Sequence, residues 1–329
     1  MPHPDPDLRR TWLFGPGADA AAHEAMLASG ADALIVDLED FTPPPRREEA
    51  RQRLAARVPR CREAGMLAAV RINALEGDGP ADLAAAMAAR PEVIAYPMAA
   101  SAAQMRALDA AIAGWESRLG IAPGSTEIVP VCETALGVVE VRAMAAASPR
   151  IRCALLGAED LAADLCAERS AEALELDHAR RRFVLECRAA GIEPIDAPYT
   201  FADADGAVRE ARYARRLGYR SKAVVRPDHA QPINAALTPS VDEVARARAM
   251  VAAFEAARER GEDRALVDGL WVEVPTYRAA RRVIERAARL GAMGRAPGPD
   301  DEVFLNGPKA SDDFMEARAG QQQPERDAL

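Results

Sequence analysis

The chain has 329 residues, of which 49% are hydrophobic and 28% charged, with a formal net charge of -9 at pH 7. That supplies one sizeable core or two modest domains. The acidity and the 5% aromatic content exclude a broad surface for nucleic acid or an anionic membrane, while local basic residues stay free to bind a small anion.

In chain order, the N-terminal MPHPDPDLRR has no apolar core of a signal peptide, and no run is long enough to span a bilayer. From Thr11 to about Arg258, short apolar runs alternate with longer Ala/Arg/Glu-rich helical stretches. The runs are WLFG, ALIVDLE, LAAVRIN, EVIAYP, EIVPVCE, RCALLGAED, EPIDAP and SKAVVRP. Stretches such as AAHEAMLASG and HARRRFVLECRAAG end in the glycine expected beyond a helix C-terminus. Eight strands with intervening helices predict an α/β fold with a parallel sheet, and the eightfold repetition predicts closure into a barrel. An open doubly wound sheet is the alternative, but LFGPGAD lacks the GxGxxG that opens its first helix.

After residue 258 the rhythm changes. GEDRALVDGLWVEVPTYRAARRVIERAARLG reads as a strand or turn followed by an amphipathic helix, and a Pro/Gly-rich stretch from Arg295 leads to the polar tail QQQPERDAL, expected to be mobile. The expected division is a barrel over 1–258 and a C-terminal helical extension over 259–329. The five cysteines (Cys61, Cys132, Cys153, Cys166 and Cys187) are scattered without CxxC or metal-finger spacing, which fits reduced thiols in the cytoplasm.

Charged residues gather at the C-terminal ends of the strands, where barrels of this kind place their chemistry. Strand two ends in Asp37, Glu39 and Asp40, strand three in Arg71 and Asn73, strand five in Glu133, and strand six in Glu159 and Asp160. Strand seven carries Asp196, and strand eight ends in Lys222 to Arg226. Several carboxylates with few cations would repel one another, and a divalent cation resolves this. All-oxygen ligands point to Mg²⁺ or Mn²⁺ rather than zinc, for which the scattered histidines offer no set. The residues by themselves therefore indicate metal-assisted chemistry on a small anion in a barrel mouth.

Taken in order, RTWLFGPG, GADALIVDLEDFTPP…EEAR, VRIN, VCETALG, LLGAEDLAADL, AGIEPIDAPY and PINAALTPS resemble the citrate lyase beta-subunit-like group of the HpcH/HpaI aldolase family over about residues 10–290. The resemblance implies a TIM (β/α)8 barrel of the phosphoenolpyruvate/pyruvate-binding type. It implies a homotrimer or hexamer in which the C-terminal segment lies over a neighbouring subunit. The activity implied is cleavage or formation of a carbon–carbon bond in a malyl- or citramalyl-type CoA thioester, yielding an acyl-CoA and a 2-oxo acid. Within the same class stand a citryl-carrier lyase subunit and an aldolase on free 2-oxo acids, and outside it a barrel without catalysis.

Residue by residue, the resemblance implies Mg²⁺, or alternatively Mn²⁺, bound by Glu133 and Asp160, with Arg71 on the substrate oxygens and Asp196 in a loop near the thioester. Asp37 and Glu39 then orient Arg71 and hold metal-bound waters, and Asp40 faces solvent. The family's base, an Asp in a C-terminal G-x-M-I-D-x-P motif of a neighbouring subunit, corresponds to Glu273 in DGLWVEVP, one methylene longer. Two further departures are Met98 in YPMAAS, where the family often has Lys, and Arg226 and His229 in VVRPDHA, where it has His-Pro-x-Gln. Both bear on which substrate is accepted. His229 is expected at the surface and Cys132 as a packed thiol.

Overall fold

A computed structural model describes residues 5–292. The eight apolar runs form strands β1 (Thr11–Pro16), β2 (Ala33–Asp37), β3 (Leu67–Arg71), β4 (Val93–Tyr96), β5 (Glu127–Cys132), β6 (Cys153–Leu156), β7 (Glu193–Asp196) and β8 (Ser221–Val224). All pair in parallel and in sequence order, and β8 returns to β1 through Trp12 beside Ala223. Closure removes both sheet edges, so the doubly wound alternative does not apply.

Alternation along each strand sorts side chains into two cores. Trp12, Phe14, Ala33, Ile35, Ala69 and Val131 face the barrel interior. Leu13, Leu34, Val36, Ala68 and Cys132 face outward, under the surrounding helices. Those helices are α1 (Ala20–Leu27), α2 (Arg47–Glu63), α3 (Gly79–Ala89), α4 (Ala102–Leu119), α5 (Ala135–Ala147), α6 (Glu159–Asp164), α7 (Asp177–Ala189), α8 (Ala204–Leu217) and α9 (Pro227–Leu237). Several start where the sequence supplies a cap: the side chains of Asp19, Ser101, Thr134 and Asp203 each accept an N–H of the first turn. At the N-terminal end of the barrel, buried Arg9 donates two hydrogen bonds to Glu127, at 2.7 and 2.8 Å. That end is thus closed by a satisfied ion pair, and the opposite end carries the unbalanced charge.

The chain divides after Thr238, not at the expected residue 258. The second unit holds α10 (Val241–Glu259), an antiparallel hairpin of β9 (Ala265–Val267) and β10 (Leu270–Val272), and α11 (Val274–Ala292). The earlier boundary has a packing cause: α10 buries Ala247 and Phe254 in the same clusters as Ala280, Ile284 and Tyr277 of α11. α10 therefore shares a core with the C-terminal segment. The tail QQQPERDAL lies outside the described residues. Among the described residues no helix is long and apolar enough to cross a membrane.

Candidate active site

Three charged side chains continue the inward-facing series past the barrel's apolar layers: Asp37 after Ala33 and Ile35, Arg71 after Leu67 and Ala69, and Glu133 after Val129 and Val131. The two-residue period thus brings residues far apart in sequence to one rim. In register, Asp37 lies directly beside Arg71.

Arg71 is held on every side. Its Nε and Nη2 donate to the two oxygens of Asp37, both at 2.7 Å, and Nη1 lies 2.8 Å from Glu39 Oε2. The guanidinium stacks against Phe14 and Phe41, at 5.1 and 5.7 Å from their ring centres. Burial alone would lower its pKa, but Asp37, Glu39 and Glu133 outweigh burial and raise it, so the group is permanently cationic. Asp37 is fully buried and also accepts the N–H groups of Glu39 and Phe41, at 3.1 and 2.8 Å. Its two oxygens thus accept from four donors.

Glu39 is different. Its Oε2 is near Arg71 Nη1 but not aligned as a hydrogen bond. Burial, then the neighbouring charges of Asp40 and Asp37, push its carboxyl up to about 7 against the pull of Arg71. Asp40 itself is exposed.

Glu133 is 4% exposed and has no ion-pair partner among the described residues. Its Oε1 accepts the N–H of Met98 at 2.7 Å. Met98 presents that N–H from a left-handed backbone, φ 46°, a conformation that costs a non-glycine residue energy. On the other side stands Gly157, where a Cβ would come within 2.5 Å of Glu133 Cβ and 3.0 Å of its Oε2. Only glycine lets the β6–α6 connection approach this closely. Burial drives the Glu133 carboxyl up to about 7, with Asp160 and Glu39 adding to the rise and the Met98 amide and Arg71 opposing it. Asp160, the second residue of α6, is exposed and also unpaired among the described residues. Partial burial, then Asp40, raise its carboxyl.

These donors fit a hard divalent cation. Both carboxylates are unpaired among the described residues, burial shifts each toward protonation, and nearby carboxylates add to the rise, Asp160 at Glu133 and Asp40 at Asp160. No group of three or more His, Cys, Asp or Glu side chains is arranged to hold a metal among the described residues. A cation here would take most of its ligands from water and substrate, as Mg²⁺ commonly does.

Not every residue expected at the mouth is there. Asp196 alternates away from it: Ile195 faces the interior, and Asp196 is fully buried on the outer side. Its oxygens accept from Arg180 Nε and Nη2, at 2.9 and 2.8 Å, and from Lys222 Nζ at 2.7 Å, while Glu210 lies 2.8 Å from the same Lys222. Burial would raise the Asp196 carboxyl, but Arg180 and Lys222 overcome it and hold it low. Its expected contact with a thioester gives way to a buried four-charge cluster. Sequence reading missed this cluster, because only the pairing of β7 with β8 and the helices behind it bring those charges together. His229 is 1% exposed, not at the surface, with Nε2 3.2 Å from the Ala202 carbonyl. Cys132 is a buried thiol whose pKa burial pushes up. Arg226 pairs with Asp228 at 3.0 Å. Glu273 belongs to the second unit, is mostly exposed, and stands 3.9 Å from Arg264.

The sequence profile described as HpcH/HpaI aldolase/citrate lyase matches residues 10–227. The citrate lyase subunit beta of Escherichia coli is 33% identical over 287 residues, covering 86% of this chain and 94% of that protein. The L-malyl-CoA/beta-methylmalyl-CoA lyase of Cereibacter sphaeroides is 32% identical over 317 residues, covering 89% and 98%. Among solved structures, protein CitE from Mycobacterium tuberculosis in complex with magnesium, acetoacetate and coenzyme A superposes with a TM-score of 0.66 at 28% identity, covering 84% of this chain and 97% of that one.

Proposed function

Since the chain belongs to the HpcH/HpaI aldolase/citrate lyase family and is a lyase, we propose that it cleaves or forms the carbon–carbon bond of a malyl- or citramalyl-type CoA thioester in a Mg²⁺-dependent reaction in the cytoplasm. The observation that carries this reading is the pair of unpaired carboxylates, Glu133 and Asp160, at the barrel mouth that also holds Arg71. The magnesium and coenzyme A in the related M. tuberculosis structure support the metal and the thioester.

In this reading Glu133 and Asp160 hold the cation, which supplies Lewis-acid polarisation of the oxo group when bound. Arg71, fixed by Asp37 and Glu39, meets the developing enolate or the substrate carboxylate with a charge that needs no reorganisation. Glu273 of a neighbouring copy takes the proton of the substrate hydroxyl. The carbon–carbon bond then breaks, its electron pair passes to the thioester enolate, and protonation of that enolate releases the acyl-CoA beside the 2-oxo acid. Met98, whose backbone N–H bonds Glu133 and whose apolar side chain is exposed, favours substrates with an uncharged substituent on that side of the mouth.

The test is turnover of malyl-, citramalyl- and citryl-thioesters, with CoA and carrier-type thiols, with and without Mg²⁺. Activity on a CoA thioester that disappears in chelator, and in Glu133→Gln and Asp160→Asn, is the expected outcome. Metal-independent turnover sinks the metal assignment, and turnover of citryl thioesters alone favours the citryl-carrier reading suggested by the E. coli relative.

A further inference from the structure

Helix α6 carries Asp160 but has only six residues, too few to hold its own geometry in water. Leu161 and Ala162 anchor its inner face in the core around the barrel, and its orientation is set further by what grips its ends. At the N-terminal end, Glu159 Oε1 accepts hydrogen bonds from Thr200 Oγ1 at 2.7 Å and from Arg169 Nε at 3.1 Å. Arg169 also donates to Glu175 and lies over Phe201, 5.8 Å from the ring centre. It thereby ties α6 to the connection after β7. At the other end, Asp164 Oδ2 accepts the backbone N–H of Ala135 at 2.7 Å.

Ala135 is the first residue of α5 and follows Glu133 by two positions. A helix's first N–H groups have no partner within the helix. Thr134 caps the N–H of Gly137 at 3.0 Å, so Asp164 satisfies a second one from outside the helix. A carboxylate is favoured at that end by the helix dipole. The bond joins the helix bearing Asp160 to the turn bearing Glu133, by a route independent of the sheet.

We propose that Asp164 and Arg169 are positioning residues that fix Asp160 relative to Glu133, and thereby set the affinity of the mouth for a divalent cation. The proposal rests on the reading of Glu133 and Asp160 as the metal pair. Neither residue touches the cation. Each acts through α6, as outer groups that orient metal ligands do.

The experiment measures Mn²⁺ affinity by the loss of free-ion paramagnetic signal, and Mg²⁺ affinity by competition, on the metal-stripped full chain. Asp164→Ala and Arg169→Met are expected to weaken binding about 10- to 100-fold. Asp164→Asn, which keeps an acceptor oxygen, is expected to stay within about threefold of wild type.

Ala135→Pro removes the same bond from the donor side and is tolerated at a first helical position, where Thr134 already has an extended backbone (φ -135°, ψ 159°). It should match Asp164→Ala, and the double variant should be no worse than either. This variant keeps the question answerable if Asp164→Ala does not fold. Wild-type affinity in Ala135→Pro and Arg169→Met overturns the positioning role while leaving the metal reading intact, provided Glu133→Gln has lost binding. Unchanged affinity in Glu133→Gln overturns both.

Discussion

Glu133 and Glu39 sit in the same rim as Arg71 and Asp37 but are held by fewer hydrogen-bond donors than Asp37. Asp37 takes four donors, whereas Glu133 accepts one amide and Glu39 has a close but misaligned cation. Burial therefore dominates in both glutamates, and each carboxyl rises from an ordinary value of 4.5 to about 7. A raised carboxyl binds more protons folded than unfolded across that window, so its contribution to stability is present at low pH and lost as pH rises toward 7. Other carboxyls, such as Glu175 held down to about 2, act the opposite way. The informative quantity is the difference between wild type and Glu133→Gln in the metal-free protein. Thermal melts followed by circular dichroism should show Glu133→Gln becoming relatively more stable as pH rises from 5 to 8. A difference that does not change with pH would mean Glu133 is ionised throughout.

Among the elements, β7 illustrates how one residue of strand phase decides a role. Asp196 ends a strand, as Asp37 and Arg71 do, but its parity is outward, so it is locked between Arg180 and Lys222. Asp196→Asn removes a buried charge that two buried cations need. It is expected to cost about 3–5 kcal/mol, read as a shift of the urea midpoint, with Mg²⁺ affinity of the folded fraction kept within a fewfold. Retained stability with a raised KM for thioester would return Asp196 to the substrate. The strands themselves were legible, because each is an apolar run closed by polar residues at its C-terminal end. Their phase was not. Runs such as RCALLGAED and EPIDAP are buried on both faces, so no polar alternation marks which side meets the interior.

For the whole molecule, the proposed assembly makes a prediction that no single chain can satisfy. If Glu273 serves the mouth of a neighbouring copy, Glu133→Gln and Glu273→Gln are each inactive alone. Co-refolded together, they should recover activity through sites that pair one chain's intact mouth with the other's intact Glu273. No recovery in mixed oligomers verified by light scattering would place the base elsewhere. The sequence by itself determined the eight-unit alternation, the charge gathered at strand ends and the family motifs. These follow from local composition and short-range periodicity, which survive in a one-dimensional string. Only the tertiary structure decided that α10 packs with the C-terminal unit. It also decided that Met98 and Gly157 frame Glu133, that Asp196 is an outward structural charge, and that Asp164 reaches α5. Each of these depends on strand phase, backbone handedness or a contact between distant segments, and the folded chain sets those through packing that no neighbouring residues encode.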